Sequence, residues 1–504
     1  MCAGHYDIRN NCPADPDGFG TRRRYNRSEC LCLAYFIKQD ATGGSLSKEN
    51  AVGRSASQVN RALWVYALLV VLVTAASWGI YLHHPAYDNR PLFDHSDQFR
   101  DLTSYAEKTA HLHGGAAALG RGSPTYNYPA SAAFVYKILL HTFPSHAVRL
   151  YLAFLAICIC IFSLVALRAS QANWSDRLAA TAAIATTAAL GSPLWFTADR
   201  GNVEGVAWAF AAAGLCFLLR AKHRTAAVLI GLAACVKPFS ILFLLLLLGR
   251  RKYKEAALGL ATAVLVVLAA LTALGPNPWR AYQDLKPGVT DYVNHYIVNL
   301  VSVGEARFLH SMLDGMKSAA LTVEVGGVHA SKASAEVPRL IAEPGGWHKA
   351  HRLAMVYPFI AVLGFGLLLA AFYRMPMLNQ LTALGVAVTL FPLSASEYTL
   401  LSLYVPFGAL LVFLTREVAT GKVVFSKASM LAFAVIYALL FSPLTFLRLY
   451  AGDAKLLLLL ALLFVAARSP MQSEYFSDPA DEVARKANTR QTVRQEERIV
   501  NAAY

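Results

Sequence analysis

The chain has 504 residues, of which 56% are hydrophobic and only 15% charged, and it carries a formal net charge of +15. Soluble domains carry about 25% charged residues, so the composition excludes an ordinary soluble globular protein. The basic excess sits in short connections between apolar runs, at Arg220, Lys222 and Arg224 and again at Arg250, Arg251, Lys252 and Lys254. That is the positive-inside pattern of a membrane protein, and no nucleic-acid partner is expected. Cys158, Cys160, Cys216 and Cys235 lie inside apolar runs, while Cys30 and Cys32 have neither zinc-knuckle nor redox spacing, so disulfides are not implied.

Residues 1–61 are mixed and polar and read as a disordered cytoplasmic extension. Within them Asp15-Pro16-Asp17 has the form of a nucleotide-sugar DxD, but it follows no apolar strand and reads as a turn. Residues 62–82 start too far in for a signal peptide, lack a following cleavage site and are long enough to cross a bilayer. They are expected to run outward. Residues 128–143 are apolar but short, and a span there would invert every later loop, so a re-entrant or interfacial segment is expected. Spans at 148–168, 178–197 and 203–220 follow.

Residues 225–249 lie between two basic clusters, with Lys237-Pro238 at their midpoint. Both flanks favour the cytoplasm, which predicts two half-helices broken at the proline, with a single outward span as the alternative. A span at 255–274 leads to a long outer loop, 275–352. Further spans are predicted near 353–373, 377–394, 398–415, 427–448 and 453–468, followed by a charged cytoplasmic tail, 469–504. The fold class is therefore all-α, a polytopic integral membrane protein of about a dozen apolar helices. The membrane domain is 62–468, with outer loops 83–147 and 275–352 and both termini cytoplasmic.

This topology sends three polar clusters to the outer face: Asp94, Asp97 and Asp101 with Tyr105, Tyr126 and Tyr128; Asp199, Arg200, Asn202 and Glu204; and Ser394, Ser396, Glu397 and Tyr398. Lys237 points to the same region if its segment is a hairpin. Ionisable groups at membrane depth are costly and mark functional sites. Acids facing a Lys/Arg pair suit an acceptor hydroxyl and a phosphate respectively.

The ordered pieces F-R-D-L-T-S-Y (99–105), Y-N-Y-P (126–129), D-R-G-N (199–202), A-A-C-V-K-P-F (233–239) and F-P-L-S-A-S-E-Y (391–398) resemble glycosyltransferase family 87 of the GT-C superfamily, in order and spacing over residues 62–450. The chain departs from that pattern at Ser396, Glu397 and Tyr398, where relatives often carry Trp and His. The resemblance implies a GT-C-type helical bundle whose outer loops carry the site of an inverting glycosyltransferase. It implies a polyprenyl-phosphate sugar donor, often mannose, and a glycan or glycolipid acceptor, at the outer face of the cytoplasmic membrane. By that resemblance Asp101 is the catalytic base, with Asp97 and Asp94 as alternates, and Lys237 meets the donor phosphate. Tyr105, Tyr126, Tyr128, Asp199, Arg200, Asn202, Glu397 and Tyr398 are the candidate donor- and acceptor-binding residues. No cofactor and no metal are expected; the partners are the lipid-linked donor, the acceptor and membrane lipids.

Each residue also has a plainer reading. Asp101 would cap a helix over 102–112, and Asn202 the helix over 203–220, with Asp199-Arg200 an interfacial ion pair. Asp94-His95-Ser96-Asp97 has ligands for a divalent ion but reads as a solvated turn. Lys237 would snorkel to headgroups, and Glu397 would simply suit a helix start. His111 and His113 read as loop residues, and Tyr66, Tyr81 and Tyr151 as an interfacial belt. The rival function is a secondary transporter or flippase-like protein, with Lys237 and Asp199 as coupling groups.

Overall fold

The computed structural model of the chain describes residues 48–83, 98–103, 128–170, 174–275, 277–283, 285, 366, 369, 371–390, 397–444, 447, 451–473 and 475–476. Among the described residues every regular element is helical and no strand occurs. Residues 52–504 form one compact unit, and the contacts below lie within it.

The elements are α1 (Lys48–His83), α2 (Ala130–Thr142), α3 (Ala147–Ala169), α4 (Trp174–Leu190), α5 (Ser192–Arg200), α6 (Glu204–Leu219), α7 (His223–Val236), a 3-10 helix (Pro238–Leu244) running into α8 (Leu245–Leu248), and α9 (Tyr253–Leu274). After them come α10 (Met377–Leu390), a second 3-10 helix (Glu397–Leu403) continuing into α11 (Tyr404–Phe413), α12 (Lys427–Phe441) and α13 (Ala451–Arg468). Five stretches are long and apolar enough to cross a membrane: Ser55–Ile80, Ala147–Ala169, Trp174–Arg200, Tyr253–Leu274 and Glu397–Val418. Five shorter apolar helices accompany them. The protein is an all-α polytopic membrane protein.

The sequence of α3 explains its place. It buries Tyr151, Leu155, Ile159 and Ala166 on one face and exposes Leu150, Phe154, Ile157, Ile161 and Leu164 on the other. A helix apolar all round is suited to lipid. By contrast, the Glu397–Val418 stretch is almost entirely buried, which makes it a central helix of the bundle. There Tyr404 and Phe407 meet Phe441 and Tyr437 of α12, with ring centroids 4.7 to 5.4 Å apart.

Helices in lipid gain little from hydrophobic burial against one another, so close packing decides their contacts. A Cβ on Gly231 of α7 would stand 2.3 Å from the carbonyl oxygen of Gly259 in α9. Only glycine lets these two backbones approach so closely. The same contacts set direction. Ala227 and Gly231 lie against Gly259, while Cys235 and Val236 cluster with Ala270, Leu271 and Leu274. Hence α7 and α9 run the same way.

The side chain of Leu244 also lies against Gly259. The chain beyond Pro238 has therefore turned back to the level of Ala227. Residues 223–248 form a broken hairpin with Lys237 at its tip, the first of the two readings left open for this segment. Fourteen residues of α7 at about 1.5 Å each put the tip about 20 Å from its base, short of the ~30 Å bilayer core.

Two expectations are corrected. Residues 48–61, read as part of a disordered extension, are the opening turns of α1, and Val59 is buried in the core. The span predicted at 178–197 is present within Trp174–Arg200; it breaks at Gly191, and α5 begins with Pro193 in its first turn, where the missing N–H does no harm. Tyr66 and Tyr151 are not belt residues: both are buried, and Tyr66 hydrogen-bonds Thr187 inside the bundle. The side chain of Tyr81 lies outside the described residues, as do nearly all of the span predicted at 353–373 and most of both predicted outer loops.

Candidate active site

The D-R-G-N turn is the frame of the site. Arg200 ends α5, and Gly201 caps it in the left-handed conformation, φ 63°. Its N–H returns to the carbonyls of Thr197 and Ala198, the helix end that glycine makes without a Cβ penalty. Asn202 then opens α6 by accepting the Glu204 N–H at 2.9 Å. The capping role read from the sequence is real, and it occupies only the amide oxygen.

The segment 98–103 docks on this turn. Phe99 N–H donates to the Asp199 carbonyl at 2.7 Å, and Leu102 packs against Gly201. Phe99 itself lies in the left-handed region, φ 53°, a strained backbone for a non-glycine residue. Asp101 falls inside the helical turn 100–103 and not before it. Its carboxylate accepts the Asn202 Nδ2 amide at 2.6 Å and stands 3.9 Å from the Arg200 guanidinium. With side-chain exposures of 17% and 23%, Asp101 and Arg200 remain reachable from outside.

Tyrosines hold the turn from behind. Tyr136 Oη donates to the Gly201 carbonyl at 3.0 Å and accepts the Val203 N–H at 2.7 Å. Tyr151 donates to the carbonyls of Thr197 and Asn202. Tyr128 Oη accepts from the Asn202 amide at 2.8 Å. Ser131, beside it at the start of α2, donates to the Cys235 carbonyl and so ties this wall to the tip of the hairpin.

Lys237 stands at that tip in an extended conformation, φ −132° and ψ 103°. The following proline imposes it, because Pro238 disfavours helical geometry at the residue before. The ammonium pairs with Glu204 at 2.9 Å and lies 4.6 Å and 5.1 Å from the ring centres of Tyr128 and Tyr398. Aromatic faces attract a cation at this range. Tyr398 in turn stacks on Phe196 with centroids 5.7 Å apart, and the Arg200 guanidinium lies 6.0 Å from the same Phe196 ring.

Asp101, Tyr128, Asp199, Arg200, Asn202, Lys237 and Tyr398 are thus brought to one end of the bundle. Glu397 is next to them but engaged with Lys455 of α13. Asp94, Asp97, Tyr105 and Tyr126, with the metal-ligand alternative at 94–97, lie outside the described residues. Sequence reasoning placed Glu204 in the polar cluster at the outer face but gave it no binding role, and it gave none to Tyr136, Tyr151 or Lys455. Tyr136 and Tyr151 carry no local signal. Glu204 did, as an acid following D-R-G-N, and Lys455 did, as a lone cation entering the run L-L-L-L-L.

Two acid–cation pairs, Asp101 with Arg200 and Glu204 with Lys237, stand here, and the Asp101 carboxylate is partly exposed. Such a set can take a proton from a hydroxyl at Asp101 and hold an anion near Arg200 and Lys237. The model of glycosyltransferase family 87 matches residues 126–396, a little over half of the chain. Asp101 precedes the matched region and Lys455 follows it. No curated protein and no solved structure matches the chain significantly.

Proposed function

This chain belongs to glycosyltransferase family 87 and is a membrane-bound glycosyltransferase, and on that premise we propose that it moves a hexose, mannose foremost, from a polyprenyl-phosphate donor to an acceptor hydroxyl with inversion. The acceptor is a glycolipid, polysaccharide or other envelope glycan. The observation that carries this reading is the partly exposed Asp101 carboxylate, held by Asn202 beside Arg200, with Lys237 against the neighbouring Tyr128.

Asp101 takes the proton of the acceptor hydroxyl as its oxygen attacks the anomeric carbon. The carbon–oxygen bond to the phosphate breaks in the same displacement, and the polyprenyl phosphate leaves with the bonding electron pair. Arg200 and Lys237 face the charge that grows on that phosphate. One base and one displacement give inversion with no covalent sugar–enzyme intermediate. In the ground state Lys237 is neutralised by Glu204, so the phosphate shares or takes over that cation when the donor binds. Tyr128 and Tyr398 hold Lys237 in place for that contact.

In this arrangement the catalytic domain spans 62–468 in the cytoplasmic membrane, with the site at the outer face. The chain before Ser55 and the tail 469–504 are cytoplasmic. The test is Asp101→Asn in purified protein. Sugar transfer should fall by about 10³-fold or more, within the range for loss of a general base, while donor binding persists. Transfer near the unsubstituted rate would remove Asp101 from the role of base.

A further inference from the structure

Lys455 has no solvent exposure, although it lies in α13 within an apolar helical run. A buried cation at this depth is costly unless it is paired. Its ammonium donates to Glu397 Oε1 at 2.7 Å and to Ser192 Oγ at 3.4 Å. The two partners open two different elements. Ser192 is the first residue of α5, whose far end carries Asp199 and Arg200. Glu397 opens the 3-10 helix in which Tyr398 is the next residue. Those elements meet again one layer nearer the site, where Phe196 stacks on Tyr398. Beyond that layer Tyr398 faces Lys237, and Phe196 faces Arg200.

We propose that Lys455 is a positioning residue, which fixes Glu397 and Ser192 so that Tyr398 and Phe196 hold the two cations of the donor site. It touches no substrate. Its contribution reaches the donor through one layer of aromatic rings, and this rests on the donor-site reading given above. Loss of the pair should loosen 397–403 and blur the setting of Lys237, while the rest of the bundle keeps its packing. Donor affinity is then the quantity that suffers, and the chemical step is not.

The experiment compares the full-length protein in detergent with Lys455→Met and with the neutral pair Lys455→Met/Glu397→Gln, which leaves no lone buried charge. Two readouts are taken: amide hydrogen exchange, and transfer kinetics with a short-chain polyprenyl-phosphate mannose. Exchange over 397–403 should rise about tenfold or more, with 427–441 unchanged. Donor KM should rise about fivefold, with kcat within about twofold. In a Tyr398→Leu background the Lys455 change should add nothing to KM, as coupled residues require. Unchanged exchange and unchanged KM in the folded neutral pair would overturn the proposal, and so would full additivity with Tyr398→Leu. If Lys455→Met does not fold, Glu397→Gln alone is judged by the same measurements. Failure of the unsubstituted protein to use the lipid-phosphate donor would sink the functional reading instead, and exchange at 397–403 would still decide the positioning role.

Discussion

The side-chain amide of Asn202 donates to the Asp101 carboxylate at 2.6 Å and to the Tyr128 hydroxyl at 2.8 Å, while its oxygen caps α6. One residue thus joins a loop, a wall of the site and a helix start.

Substitution separates these roles. Asn202→Ala should cost about 1 kcal/mol of stability through the lost cap and lower kcat as Asp101 loses its donor. Asn202→Ser keeps a capping oxygen but loses the amide that donates to Asp101, so it should cost less stability than Asn202→Ala and still depress turnover. Thermal unfolding in detergent beside steady-state transfer reads both. Equal loss of stability in the two variants would show that the cap is not what Asn202 contributes.

The Lys237–Glu204 pair predicts a cycle. Lys237→Met leaves the buried Glu204 without its cation, a change that costs about 3–5 kcal/mol in comparable pairs. Adding Glu204→Gln should restore stability but not donor KM, because the phosphate still lacks its ammonium. A donor KM that recovers with the melting temperature would make Lys237 a purely structural cation.

Gly201 is the residue in this turn that tolerates no side chain. At φ 63° an L-residue costs about 1–2 kcal/mol, and a Cβ there would stand 2.8 Å from that of Leu102. Gly201→Ala should therefore lower the melting temperature and release the segment 98–103, seen as faster amide exchange at those residues. Unaltered exchange there would mean that the segment is held by contacts elsewhere.

The proposed outer-face location can be tested across the hairpin. Arg100 lies with the site near the tip, and Arg251 lies at the base, next to the start of α9. In a background without native cysteines, Arg100→Cys should react with an impermeant thiol reagent from outside the cell, and Arg251→Cys only after permeabilisation. Labelling of both from one side would undo the outer-face assignment.

Much of the fold was legible because lipid imposes simple rules. Long apolar runs must be helices, basic connections choose a side, and Pro238 with basic residues on both flanks favoured a break. The D-R-G-N turn was readable for the same local reason: a glycine ends one helix and an asparagine starts the next. The break at Gly191 and the burial of Tyr66 and Tyr151 were not legible, since each depends on what packs alongside.

By itself the sequence determined which segments sit in the membrane, which end of the hairpin is basic and which polar residues stand near helix ends, all of them consequences of hydropathy, charge and local turn chemistry. The tertiary structure alone decided the partners: Asn202 with Asp101, Glu204 with Lys237, and Lys455 with Glu397. Each pair joins separate elements, by as many as 101 residues of chain. Hydropathy and turn signals report only on a residue's own neighbourhood; such pairings are made by helices packing side by side.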